Sequence, residues 1–277
     1  MHEPDGTQEP DGTQHHDEPQ LLPVALIHGL IGTLDDDDLL NRLAPRPVLA
    51  VDLLGYGRHR DQAPDGIDSQ VEHLRRVLDG AHLGRVHLVG HSAGGVVAVL
   101  FAHRHPDRVA SLVNVEGNFT LVDAFWSTKV TRMGPAHFAE VLAGYQSEPA
   151  GWLRESGIRP DERRVALARR WLGRQPAATV HAMARDVIEA TTLPTYLETV
   201  RETFAEVPVH LVAGAWSRDG WDVPPWALDA AASLTLIPDA GHLMMLEQPG
   251  AFADAVTRVL TEQDAAKRPS SPSGPSS

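Results

Sequence analysis

The chain reads as an α/β protein with a mostly parallel central sheet, helices on both faces, and a helical segment inserted between two of the strands. Three observations carry that reading. Short apolar runs ending in or near glycine alternate with stretches whose apolar residues recur at helical spacing. The apolar runs are nearly continuous, as strands buried on both faces of a parallel sheet must be. The alternation stops between Asn118 and Glu206, where helical patterns follow one another without a convincing strand.

In chain order, "PVALIHG" (Pro23–Gly29) is the first buried strand, and "PVLAVDLLGYG" (Pro47–Gly57) opens with the second. Between them, the acids Asp35–Asp38 precede the helical "LLNRL" (Leu39–Leu43), where negative charge favours a helix N-terminus. Ligand spacing for calcium is absent there, so the acids read as a solvated face rather than a cation site. "DSQVEHLRRVLDGAHL" (Asp68–Leu83) places Val71, Leu74, Val77 and Leu78 at helical spacing. Asp68 or Ser69 is its expected cap, with Glu72 as the capping-box partner of Ser69. "RVHLVG" (Arg85–Gly90) is a strand, followed by a helix from Ala93 to His105 that Pro106 stops. "VASLVNVEG" (Val109–Gly117), "VPVHLVAG" (Val207–Gly214) and "SLTLIPDAGH" (Ser233–His242) are the remaining strands, and a helix over Pro249–Gln263 closes the unit.

The interrupted region reads as five helices, over Leu121–Met133, Pro135–Gln146, Asp161–Leu172, Pro176–Ala190 and Pro194–Phe204. An insertion this long between sheet strands is expected to cover a site. The division is therefore an α/β core of residues 21–117 and 207–263, with a helical lid of residues 118–206. The flanks, 1–20 and 264–277, are expected to be disordered tails. The first carries a repeat, "EPDGTQ" at Glu3–Gln8 and again at Glu9–Gln14, with no apolar residue to bury, and then His15 and His16, read as solvated.

Composition removes several functions. The net charge of −13 disfavours nucleic acid or an anionic membrane surface as a partner. No cysteine is present, so disulfides, thiolate nucleophiles and zinc–thiolate sites are excluded. The lack of cysteine fits a reducing cytoplasm, the expected location. No apolar run approaches the length of a membrane span, and the polar, acidic N-terminus does not read as a secretory signal.

The strongest chemical signal is "GHSAG" (Gly90–Gly94), a G-x-S-x-G pattern between a strand and a helix. So tight a strand-to-helix turn strains its central residue, and the small Gly90, Ala93, Gly94 and Gly95 let it close. Ser92 is then exposed at the end of the sheet, although serine is also a common helix cap.

Around this turn the chain resembles the α/β-hydrolase fold family over nearly all its length outside the tails. "HGLIG" (His28–Gly32) resembles that family's His-Gly loop, and "DLLGYG" (Asp52–Gly57) its D-x-x-G-x-G loop. "GHSAGG" resembles the nucleophile elbow, "FAHRHPDRV" (Phe101–Val109) the end of the helix behind it, and "DAGHLMMLEQP" (Asp239–Pro249) the late loop with the catalytic histidine. The resemblance implies Ser92 as nucleophile and His242 as its base, ahead of His28, His91, His103 and His105. It implies the N–H groups of Leu30 and Ala93 as the oxyanion hole.

The acid is less regular. The family usually places it after the strand "VHLVAG", but Ser217 stands three residues after Gly214, where an aspartate is common. Asp219 and Asp222 lie just beyond. Glu116, ending the strand one position earlier in the chain's order, is the favoured candidate: some members of the fold carry a carboxylate there, and a charge ending an apolar strand needs a partner. Asp219 and Asp222 remain alternatives. Phe119, Phe125, Trp126 and Trp221 are candidate pocket residues or packing residues.

The resemblance thus implies a serine hydrolase that cleaves an ester or related acyl bond of a small molecule, as carboxylesterases, lactonases and thioesterases do, through an acyl-enzyme and without a cofactor or metal. Carbon–carbon bond hydrolysis, a haloperoxidase-like activity, or a non-hydrolytic binding or biosynthetic role on the same fold are the alternatives. Dehalogenase and epoxide hydrolase chemistry is disfavoured because those relatives carry aspartate where Ser92 stands.

Overall fold

The computed structural model describes residues 21–266. The histidine pair at His15 and His16, and the tails up to residue 20 and from residue 267, lie outside the described residues.

In order, the elements are β1 (Val24–Ile27), α1 (Asp37–Leu43), β2 (Val48–Val51), α2 (Gly66–Gly80), β3 (Val86–His91), α3 (Ala93–Arg104) and β4 (Val109–Val115). Six helices follow: α4 (Phe125–Met133), α5 (Pro135–Ser147), α6 (Pro149–Glu155), α7 (Glu162–Leu172), α8 (Ala177–Thr192) and α9 (Pro194–Glu206). β5 (Val209–Gly214), α10 (Pro225–Ala230), β6 (Ser233–Ile237), α11 (Met244–Glu247) and α12 (Pro249–Ala266) complete the chain.

The six strands form one sheet in the order β2-β1-β3-β4-β5-β6, and every neighbouring pair is parallel. β1, β3, β4 and β5 are buried along their whole length, which explains their unbroken apolar character. β6, at one edge, alternates instead, and Leu234 and Leu236 face outward. α1 packs on α12, while α2, α3, α9 and α10 form a second connected set. With β3 and β4 central, the loops beyond their C-terminal ends meet the loop after β6, the usual place for a site in an α/β sheet.

Three boundaries and one helix stand out against the sequence expectation. α2 begins at Gly66 and carries no side-chain cap; the Ser69 hydroxyl donates to Gly66 O and accepts from Asp65 N–H, while Glu72 pairs with Arg75. α4 starts at Phe125 rather than Leu121, because the Asp123 carboxylate accepts the N–H groups of Phe119 and Thr120 and closes a turn there. α6 was not expected. Finally, α12 runs to Ala266, so Asp264 belongs to a helix rather than to a tail starting at 264. It meets Arg46 Nη2 at 2.7 Å and His87 Nε2 at 3.0 Å, pinning the last turn to the core.

The segment between β4 and β5 is held to the core from two sides. α8 contacts α4 and α5 as well as α2 and α3, and α9 packs on α3. From α7 and the residues after it, Arg163 reaches Asp36 and Asp38, and Arg170 and Arg174 reach Asp35. The acidic run therefore serves these arginines, while Asp36 caps α1 by accepting Asp38 N–H. Among the described residues, no helix is long and apolar enough to cross a membrane.

Candidate active site

The turn from β3 into α3 has the geometry its small residues imply. Ser92 adopts φ 53° and ψ −122°, a conformation that costs an L-residue of order 1–3 kcal/mol. It is tolerated because nothing larger crowds the turn. A Cβ on Gly94 would lie 2.5 Å from Ile27 O, and one on Gly90 would lie 2.7 Å from Gly94 O, so both positions require glycine for close approach. Ser92 occupies the N-cap position of α3, yet its side chain makes no capping hydrogen bond. The hydroxyl is not spent on the helix.

His242 sits in the loop between β6 and α11, and its Nδ1 lies 2.7 Å from Oε2 of Glu116. A carboxylate can only accept here, so Nδ1 carries the proton and Nε2 is left as the acceptor of the ring. Glu116 itself follows β4 with φ 42° and is 4% exposed. Its other oxygen, Oε1, accepts Gly214 N–H at 2.8 Å and the Ser217 hydroxyl at 2.5 Å. Burial pushes the Glu116 carboxyl up, but the hydrogen bond and charge of His242, with the Ser217 and Gly214 donors, outweigh it and hold the group below its ordinary value. Of the three carboxylates that the sequence left open, Glu116 is the one beside His242. Asp219 lies on an exposed turn. Asp222 accepts from the Thr120 hydroxyl at 2.7 Å.

Leu30, Ser92, His242, Trp126, Trp152 and Leu243 line one cavity of about 50 Å³, room for a few water molecules. Its wall is mostly apolar, with tryptophans contributed by α4 and α6. Ala93 is the first residue of α3, so its N–H has no acceptor within the helix. Leu30 follows β1, where Gly29 passes so close to the turn that a Cβ on it would lie 3.1 Å from Cβ of Ser92.

Two other histidines brace this arrangement. His91 Nε2–H donates to the carbonyl of His242 at 3.0 Å, and the two rings lie 4.8 Å apart. His28 Nδ1–H donates to Gly29 O at 2.8 Å, leaving Nε2 to accept Leu53 N–H at 3.4 Å. Burial, reinforced by His242, pushes His91 down to about 3, and burial pushes His28 down to about 4. Both therefore bind a proton more readily in the unfolded chain, so their contribution to stability is present above about pH 6.5 and is lost as pH falls toward those values. Each histidine adds a slope of about 1.4 kcal/mol per pH unit within that window. Urea unfolding is expected to show the midpoint dropping steeply from pH 6.5 to pH 4; a flat midpoint would contradict the buried neutral histidines.

The aromatic candidates separate. Trp126 lines the cavity, and Phe125 sits on the outside with its ring edge-on to His242 at 6.3 Å between centroids. Phe119 is buried against Trp221, whose Nε1–H donates to Gly117 O at 3.0 Å, so these two brace the strand end behind Glu116. Trp152, Leu243 and His91 were not among the pocket residues read from the sequence. Trp152 was missed with its helix, for which the only local signal was Pro149 at a first helical position.

The geometry can be set beside known proteins. A family model described as "Alpha/beta hydrolase family" matches residues 24–255. "Lipase LipV" of Mycobacterium tuberculosis is 32% identical over 234 residues, covering 79% of this chain and 85% of that protein. The 2-succinyl-6-hydroxy-2,4-cyclohexadiene-1-carboxylate synthase of Serratia proteamaculans is 27% identical, covering 84% of this chain and 91% of that protein. Among solved structures, a carboxylesterase study of Nitrososphaera gargenis supplies a chain with a TM-score of 0.69 at 17% identity, covering 91% of this chain and 94% of that one; it speaks to the fold alone.

Proposed function

We infer that this chain, which belongs to the alpha/beta hydrolase family, is a serine hydrolase that cleaves an ester or related acyl bond of a small molecule. The observation that carries the reading is the Glu116–His242 pair at 2.7 Å, with a tautomer that leaves Nε2 as a base, on the same cavity as a strained serine whose hydroxyl caps nothing. The similarity to a protein named as a lipase supports the same class of bond.

The steps follow from these groups. Ser92 Oγ attacks the carbonyl carbon while His242 Nε2 takes its proton. The imidazolium is stabilised by the buried Glu116 carboxylate, which Gly214 and Ser217 keep ionised and in place. The developing oxyanion accepts the N–H groups of Ala93 and Leu30. His242 returns the proton to the leaving group, and water, activated in the same way, releases the acyl group. In this reading α4 and α6 act as a lid, and each contributes a tryptophan to the wall of the cavity that Ser92 faces. The small inner cavity limits which acyl groups fit without these helices shifting outward.

A panel of p-nitrophenyl esters from acetate to decanoate is the test. Turnover of at least one ester, with a saturable rate, is the expected result. No turnover of any by a folded sample would overturn the reading.

A further inference from the structure

We propose that the open groove along the outer face of α4 binds an anionic arm of the substrate, with Lys129 and Arg132 holding a carboxylate and Leu121, Val122 and Phe125 holding the apolar chain that joins it to the reacting end. The inference rests on the hydrolase reading above and names its substrate class: an amphipathic, carboxylate-bearing ester.

Phe125, Thr128, Lys129, Arg132 and Met133 recur at the spacing of one helix face. Together with Leu121 and Val122 they border an open groove of about 810 Å³. Three large apolar side chains stand out of the core here, with Leu121 42%, Val122 65% and Phe125 58% exposed. Scattered exposed apolar residues are ordinary, but a contiguous set beside a reactive histidine marks a ligand surface.

The cations in the groove lie in a strongly acidic chain. Its net charge is −13, and many of its arginines are tied to carboxylates, as Arg42, Arg75, Arg163 and Arg174 are. Among the described residues, Lys129 and Arg132 are in no ion pair, and the Lys129 ammonium instead lies 5.1 Å from the ring centre of Trp126. The acids nearest in the chain are already engaged. Asp123 accepts three backbone N–H groups, from Phe119, Thr120 and Asp222, and Glu140 faces His137 at 3.7 Å. Two positive charges without a carboxylate partner, in a strongly negative protein, complement a carboxylate.

The groove also adjoins the catalytic histidine, which in turn lines the inner cavity that holds Ser92. It shares Val122 and Phe125 with a second hollow of about 400 Å³ that is bordered by Glu116 and His242. Along α4, Lys129 and Arg132 lie about 6 and 10 Å from Phe125 by helical rise, and the Phe125 ring meets His242. A chain of medium length therefore spans from the cations to the histidine.

The experiment compares p-nitrophenyl hydrogen octanedioate with p-nitrophenyl octanoate, which differ in the terminal carboxylate. The wild type is expected to prefer the anionic ester, through KM, with a preference that shrinks as salt is added. Lys129→Ala/Arg132→Ala is expected to lower kcat/KM for the anionic ester roughly five- to thirtyfold, leaving the neutral ester unchanged. An equal effect on both esters, or none, overturns the proposal while leaving the hydrolase reading standing. Should neither ester turn over, tryptophan fluorescence reads binding directly: octanoate is expected to perturb it saturably, octan-1-ol weakly, and the double variant to weaken octanoate alone. Identical titrations for wild type and variant overturn the proposal without reference to catalysis.

Discussion

Glu116→Gln is expected to lower kcat by about 10³- to 10⁴-fold while the protein stays folded. The size of the loss follows from proton placement. Glu116 accepts from His242 Nδ1–H, and that bond selects the tautomer with a free Nε2. A glutamine keeps the shape, and its carbonyl oxygen can still accept Gly214 N–H and the Ser217 hydroxyl. Its amide group then points at His242 as a donor. The imidazole answers by moving its proton to Nε2, and the base for Ser92 is lost. The charge that stabilises the imidazolium is lost as well. Asp219→Asn and Asp222→Asn, at exposed positions away from His242, are expected to keep rates close to wild type. Steady-state turnover of the best ester from the panel decides this. A near-normal rate for Glu116→Gln with a collapse for Asp219→Asn would place the acid in the loop after β5.

Much of the fold is legible in the chain because short continuous apolar runs bounded by turn residues fit strands buried on both faces, as β1, β3, β4 and β5 are. All six observed strands fall within segments that the sequence marks as strands, the edge strand β6 among them although it alternates. The small residues of the β3–α3 turn are equally readable, since each is forced by a close approach: Gly94 against the end of β1, Gly90 against α3. What the chain hides is short or decided at a distance. α6 has seven residues, too few to establish a period, so Trp152 had no context. α4 begins late because a carboxylate closes the turn before it, a local hydrogen bond that periodicity does not register.

The acid shows the same division. Three carboxylates were plausible, and the residues alone could only weigh them. The pairing of β4 with β5 brings Gly214 N–H and the Ser217 hydroxyl onto Glu116. Ser217, the residue that seemed to break the expected pattern, is thus a donor to the carboxylate one strand over. The pocket is less legible still. Phe125 and Trp126 are neighbours in the chain, yet one lies outside in the groove with Lys129 and Arg132 and the other lines the inner cavity. Nothing in helical spacing says which face of α4 turns toward Ser92.

Ser92→Ala carries the other large effect. Its hydroxyl makes no cap bond, and alanine fits the same small turn, so the fold is expected to survive. Removing the nucleophile of such a unit typically costs about 10⁶-fold in kcat. The most direct measurement is the intact mass of the protein after exposure to a fluorophosphonate, with digestion to locate the adduct. The expected result is one adduct per chain, on Ser92, formed by the wild type, slowed in Glu116→Gln and absent from Ser92→Ala. A folded wild type that gains no mass, or a Ser92→Ala variant that labels as readily, would contradict the assignment of Ser92 as the nucleophile.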